Sequence, residues 1–499
     1  NQDESGTGPR LRRDAQGQEI ERADIAIDSP IKGGEARLAG DFPFAGGTLR
    51  GNGSLTYQDY RTRERLSFAT GPFGGTGARI DDRIETVSGE LGAEWTRQFG
   101  KALTSKVLLL GTRKDTAIRS ASDEGGVTSD FASDSLADER ILRIALDRPS
   151  DGGLGWEAGG EIAYNSLGSR AGLTLDGLPF ALPNSNVIIT EWRGDLFGRI
   201  KWQLTPAFQA EGTIRAEQSA LRQRDRSNGE SYGRDFTYVK PKLALQWDIG
   251  ARDQLRLRAE REVSQLDFSD FASTASLIEG TIDAGNADLK PETAWILEAA
   301  WERRFIRDGA VTMTLRHDRI DNVLDRVAIG TLDAPGNIGR GTVNAAALGL
   351  SWPLDSLGLQ GGRVNFDGEW RHSTVRDPIT GNKRSITAKA PFAGEFHATL
   401  DRPELKSTFT LDVYFGQELT YSRIDEVRRT SAQPYVSLKW TYRPNTRLTL
   451  EASAENILSR RRERDRSLYD GPRNSGDLLF EESRSFRSRP GLFLSLRYQ

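Results

Sequence analysis

From Thr293 to Phe305, apolar Trp295, Leu297, Ala299 and Trp301 take alternate places, with Ile296, Glu298, Ala300, Glu302 and Arg304 between them. A period of two is the pattern of a strand with one apolar and one largely polar face. The alternation recurs in Leu49, Gly51, Gly53, Leu55 and Tyr57, in Leu243, Leu245, Trp247 and Ile249, and in Leu448, Leu450, Ala452 and Ala454. Such runs exceed the roughly 5 to 6 residues of an ordinary globular strand and suit the roughly 9 to 11 tilted residues that cross a bilayer.

Short clusters rich in Gly, Pro, Asp and Asn punctuate the pattern at 43–47, 99–101, 148–153, 205–208, 250–253, 306–309, 353–358, 402–406 and 443–446. These residues favour hairpin turns. Between them lie long polar stretches, at about 115–138, 166–187, 222–234, 267–293, 330–340, 375–389, 420–430 and 459–483. Short turns at one end and long loops at the other describe an antiparallel up-and-down sheet. Trp95, Trp156, Trp202, Trp247, Trp301, Trp352 and Trp440 sit near short turns, whereas Trp192, Trp295 and Trp370 lie toward the opposite strand ends. Two aromatic belts are what a transmembrane barrel places at its two interfaces. The expected fold is therefore an all-β, transmembrane up-and-down antiparallel β-barrel with about 19 strands present. A soluble propeller has blades of similar period but shorter strands. Because the segment Ala36 to Phe42 runs into a short turn, residues 1–32 are expected to form most of an extracellular loop. An odd number of strands is then expected upstream, 22 in all, as in outer-membrane transporters.

The charge balance, 68 basic against 71 acidic residues, gives no sign of a nucleic-acid partner. Mean hydropathy is −0.55 and no run approaches the roughly 20 apolar residues of a membrane helix. Charges crowd the polar strand faces in numbers that only a wide lumen accommodates. Cysteine is absent, which removes thiolate chemistry. The three histidines, His317, His372 and His397, are too separated for a metal site, and no nucleophile elbow or phosphate loop occurs. No enzyme activity, metal or cofactor is expected. The run Arg460 to Arg466 looks like an anion-binding loop or a lipopolysaccharide contact, but its interleaved acids favour an internally paired, solvated loop.

The run Asn286-Ala287-Asp288-Leu289-Lys290-Pro291-Glu292, entering the strand that starts at Thr293, resembles a signature late in the barrel of TonB-dependent outer-membrane receptors. Ala454 to Leu458 is similar to the close of that family's penultimate strand, and Leu492, Leu494, Leu496 and Tyr498 resemble its C-terminal assembly signal, with Tyr498 penultimate where the family ends on an aromatic. The resemblance covers essentially the whole chain, 1–499. It implies a place in the outer membrane of a Gram-negative bacterium and energy-coupled uptake of a scarce, bulky nutrient: a ferric siderophore, glycan or peptide. It also implies the TonB energy-transducing complex as partner through an N-terminal plug, which is expected outside this numbering because no stretch before Glu35 is long enough. A passive plugless channel or adhesin is the alternative. Outer-membrane lipid, lipopolysaccharide and a small-molecule or oligomeric ligand are the other expected partners. In such receptors loops recognise the ligand, so Phe268, Phe271 and the stretch from Asp267 to Glu279, together with Tyr469 and Arg473, are the candidate ligand-binding positions, with packing against neighbouring loops as their other role.

Overall fold

The computed structural model describes residues 5–100, 103–149, 153–305 and 308–498. The turns expected at 99–101, 148–153 and 306–309 include residues outside these. Between Glu19 and Tyr498 the described chain crosses one antiparallel wall nineteen times. Several crossings are interrupted, so the sheet comprises 27 strand segments. Each crossing pairs with its sequence neighbours, as in Asn186–Thr205 with Leu154–Leu175 and Phe208–Asp225.

Gly6–Arg13 pairs on one side with Glu19–Asp28 and on the other with Leu478–Ser488, closing the sheet at the loop end. These strands replace the extracellular loop expected over 1–32. Their period-two apolar positions, Ala23, Ile25 and Ile27, are the signal that the expectation overlooked; Ala23 and Ile25 are buried against Leu66 and Phe68. At the turn end, Ile31–Phe44 pairs with Gly47–Thr70 and Gly491–Tyr498 pairs with Leu448–Glu455.

Several expected loops are also strand in whole or in part, among them 420–430 and 459–483, which hold Gln417–Ser422, Glu426–Ala432 and Arg461–Tyr469. Leu103–Glu124 and Val127–Arg148 run through 115–138 and meet at Gly125 and Gly126, with φ of 64° and 91°. A two-residue hairpin with both φ positive matches the right-handed twist of the flanking strands, and glycine takes it without strain. Leu154–Leu175 likewise extends into 166–187. Above the membrane both faces of a strand meet water or polar groups, so Ser, Asp, Thr and Arg fill both faces and the apolar alternation that signals a strand disappears.

The apolar face points outward. Leu38, Leu91, Leu196, Leu315 and Leu494 are 80%, 74%, 72%, 65% and 88% exposed. An apolar belt of that extent is a lipid contact rather than a water contact. Trp192, Trp295 and Trp370 lie on it toward the loop end, and Trp202, Trp247 and Trp440 toward the turn end. The opposite face lines the lumen with ion pairs such as Lys240 to Glu217 and Arg258 to Glu298.

Candidate ligand-capture site at the barrel mouth

The lumen is roofed at the loop end by segments that fold inward. Thr274–Ser276, Thr281–Asp283, Leu332–Asn337 and Leu324–Ile329 form a separate four-stranded sheet. Residues 264–292 and 322–340, which contribute these strands, act together as a lid.

One side of the lid docks by apolar burial. Asp267 accepts the backbone N–H of Ser269 and starts a single 3-10 turn, Phe268–Phe271. That turn drives Phe271 into Leu167, Val187, Ile189 and Leu221 of the lumen wall, with Leu289 beside it. Ala275 packs with Phe131, Leu173 and Leu182. Phe271 and Leu289 are fully buried.

The Asn286 to Glu292 run then clips the two lid segments together. Asn286 Nδ2 donates to the Pro335 carbonyl at 2.8 Å, and its Oδ1 accepts the Asp288 N–H at 2.8 Å. Lys290 N donates to Asn337 Oδ1, while Asn337 Nδ2 donates back to the Lys290 carbonyl. Glu292 accepts the Leu324 N–H. Pro291, which has no N–H to satisfy, ends the clip as the chain enters the strand. The run is therefore structural.

The far side of the lid is held by charge. Glu279, in the turn between two lid strands, accepts from Arg464 Nη1 at 2.7 Å and from Arg428, and its carbonyl accepts from Arg466 at 3.1 Å. Arg464 and Arg466 are backed by Glu482, and Arg484 joins Glu482 to Glu64. Burial disfavours the Glu279 charge, but Arg464, Arg428 and Arg484 outweigh it and hold the carboxyl below its usual range. A second lock joins lid and neighbouring loops: Asp283 pairs with Arg423 and Arg326, and Asp333 accepts the Ile424 N–H at 2.9 Å. Burial, with only partial compensation by Arg423 and Arg326, pushes Asp333 up to about 6. Asp270 is also pushed up to about 6, by burial and by the nearby Asp267.

These features make a wide polar barrel with a roof held by apolar burial on one side and by ion pairs on the other. A model of the TonB-dependent receptor-like β-barrel family matches residues 34–457. The chain belongs to that family. Members are outer-membrane receptors whose uptake is energised through TonB. No curated protein matches the chain by sequence. Among solved structures, the siderophore receptor PiuA of Acinetobacter baumannii is similar at 10% identity and a TM-score of 0.59, covering 99% of this chain and 82% of that one. The ferric-catecholate import receptor Fiu of E. coli K12 has 10% identity and a TM-score of 0.58, over 100% and 82%. The pyoverdine receptor FpvA of Pseudomonas aeruginosa PAO1 has 11% identity and a TM-score of 0.58, over 98% and 79%.

The four candidate residues of the TonB-dependent receptor barrel stand differently within this roof. Phe271 is fully buried and Phe268 packs beside it, with ring centroids 6.2 Å apart. Arg473 donates to Asp377 at 2.7 Å and to the Arg423 carbonyl at 2.6 Å, with its side chain 8% exposed. Tyr469 is half-buried and its N–H donates to the Asp425 carbonyl. Phe271 and Arg473 thus serve the packing of the roof. The Arg460 to Arg466 run is strand over Arg461–Tyr469, and Arg464 and Arg466 are internally paired. Glu279 lies in the 267–279 stretch that the sequence singles out, whereas Arg423 and Arg428 escaped it because their lid partners Asp283 and Glu279 lie 140 and 149 residues away. Among the described residues no cluster of metal-ligating side chains occurs.

Proposed function

We propose that this receptor captures a scarce, bulky, anionic nutrient at its mouth, with a ferric siderophore as the leading class and an acidic glycan or peptide behind it. The observation that carries the substrate class is the Glu279 carboxylate held between Arg428 and Arg464. An anionic ligand competes for the same two guanidinium groups, and charge-assisted bonds of this kind are strong and directional. Siderophore and ferric-catecholate receptors among the structures of similar fold support the same class.

The protein does no chemistry on its ligand. Arrival of the anion breaks the Glu279 lock, and the lid moves off the lumen. Transport then draws on the proton-motive force through TonB, acting on a plug that lies outside the described residues. The site of action is the outer membrane of a Gram-negative bacterium.

Tryptophan quenching of the purified chain in detergent tests the substrate class with ferric catecholate, ferric hydroxamate, ferric citrate and a neutral oligosaccharide as probes. At least one anionic chelate is expected to bind, and Arg464→Gln to weaken it by about tenfold, the loss of one charged hydrogen bond. Tighter binding of the neutral oligosaccharide, unchanged by Arg464→Gln, contradicts the assignment.

A further inference from the structure

Two of the chain's three histidines lie on the outer, lipid-facing surface of the barrel, far from the mouth network. Strand register places Leu297, His317, Asn344 and His372 in one row across four adjacent strands. The row immediately toward the loop end holds Arg261, Trp295, Arg319, Thr342 and Thr374. Trp295 and Leu297, 49% and 54% exposed, fix both rows as outward-facing.

The height of this cluster follows from the strand. Trp295 is ten residues above Phe305, the strand end beside the short turn. Ten residues at about 3.3 Å each, tilted about 40°, rise about 25 Å, the thickness of the apolar band. The cluster therefore sits where acyl chains give way to headgroups.

Its chemistry is that of an anion site. His317 Nδ1 donates to Asn344 Oδ1 at 2.8 Å, which leaves the amide N–H groups of the exposed Asn344 free to donate; the other ring nitrogen, Nε2, adds a donor in the imidazolium form. His372 meets Thr374 Oγ1 at 3.3 Å through Nε2 only. The Arg319 guanidinium is exposed and has no ion-pair or hydrogen-bond partner among the described residues. The neighbouring carboxylate, Asp321, is committed to Arg340 at 3.0 Å. Some arginines elsewhere on the outer wall are matched by acids, Arg61 and Arg83 by Asp59 and Arg119 by Asp134. Others, such as Arg140, are exposed without an acid among the described residues, and Arg319 differs from Arg140 in standing beside a row that holds His317, Asn344 and His372.

Below the polar row a furrow of about 980 Å³ runs down the wall, with the small Ala299 and Ala346 between Leu257, Leu315 and Trp370. We propose that Arg319, His317, Asn344 and His372 bind the phosphorylated headgroup of an outer-leaflet lipid whose acyl chain lies in this furrow. Adjacent strands are about 4.8 Å apart, so His317 and His372, two strands apart, bracket a space of about 10 Å that a phosphate and its sugar or glycerol fill. Basic groups placed at headgroup depth are the usual means by which membrane proteins select anionic lipids.

Native mass spectrometry of the full chain in neutral detergent tests the proposal, with diphosphorylated lipid A, dephosphorylated lipid A and phosphatidylcholine as probes. The wild type is expected to retain one diphosphorylated lipid A about tenfold better than either other lipid. The double variant His317→Gln, Arg319→Gln is expected to lose that preference, and Arg319→Lys to keep most of it. Arg140→Gln, which removes an exposed outward arginine in register with Tyr164 and Trp192 on another part of the wall, is expected to change nothing. Equal retention of the three lipids by the wild type, full retention by the double variant, or an equal loss in Arg140→Gln overturns the proposal. Should the double variant fail to fold, Arg319→Gln alone is read by the same criteria.

Discussion

Glu279 and Arg464 are 185 residues apart in sequence and 2.7 Å apart in space, and their contact ties the lid to the opposite wall of the barrel. Removing the charge leaves Arg428 and Arg464, with side chains only 12% and 10% exposed, in a site built for an anion. Glu279→Gln is expected to lower the stability of the closed lid by about 1 to 3 kcal/mol, as for a lost hydrogen bond to a charged partner. Hydrogen exchange over residues 264–292 should accelerate correspondingly while exchange in the wall strands stays unchanged. Unchanged exchange of the lid would mean that Glu279 does not hold it.

Phe271 anchors the other side. Its ring is fully buried against Leu167, Val187, Ile189 and Leu221. Phe271→Ala should cost about 3 to 5 kcal/mol of lid docking through lost burial and a cavity. Limited proteolysis should then cut within 264–292, which the wild type should resist.

Asn286 carries the clip between the two lid segments. Asn286→Ala removes the bonds to the Pro335 carbonyl and the Asp288 N–H, so about 1 to 3 kcal/mol of cohesion should be lost. Exchange of the backbone amides of 286–290 and 332–337 should rise together, since each segment bonds the other. If only one segment loosens, the clip is not mutual.

Acid should act on the lid in two opposite steps. Asp270 and Asp333 are raised to about 6 in the folded lid, from an ordinary value of 3.8, so the folded form binds their protons more tightly than the open chain does. Their contribution to lid stability is complete below the ordinary value and is lost as pH rises through about 6. Glu279 is shifted the other way, and so is Asp377: burial disfavours its charge, but hydrogen bonds from Arg473, Thr380, Arg384 and Ile379 prevail. Their contribution is present above the ordinary carboxylate range and is lost as pH falls through it. Lid protection, measured by hydrogen exchange corrected for intrinsic rates, should therefore peak at about pH 5. A monotonic fall from pH 7 to pH 4 would contradict this balance.

The barrel was legible where one face meets lipid, because an apolar residue at every second place needs no long-range information. Trp295, Leu297, Ala299 and Trp301 are an example. Above the membrane that contrast vanishes, and 115–138 reads as a loop although it is two strands joined at Gly125 and Gly126. The Asn286 to Glu292 run identified the family, but its role as a clip depends on Pro335 and Asn337, which no local pattern links to it. Phe268 and Phe271 drew notice as loop aromatics, yet an aromatic in a loop looks the same in sequence whether it faces a ligand or a wall. The alternation of acid and base in Arg460 to Arg466 was compatible with pairing, and Arg464 and Arg466 are paired, with Glu279 and Glu482 as acids from other strands and loops.

The outward face gives a test of orientation. Leu315 is 65% exposed toward lipid, whereas its neighbour Arg316 pairs with Asp318 at 2.7 Å. Leu315→Arg should cost about 2 to 4 kcal/mol in bilayer unfolding titrations, the range for a lipid-facing arginine near the midplane. Ser in place of Arg316 should cost about 1 kcal/mol or less, as for a partly solvated pair. Reversed sensitivities would invert the assignment of the two faces.

Uptake of a radiolabelled ferric siderophore by cells carrying the gene, with and without a functional TonB, tests the central claim most directly. Uptake should require TonB, collapse with a protonophore, and fall about tenfold in Arg464→Gln through weaker capture. Uptake that continues at the same rate without TonB and is indifferent to Arg464→Gln would contradict an energy-coupled receptor and leave a passive pore in its place.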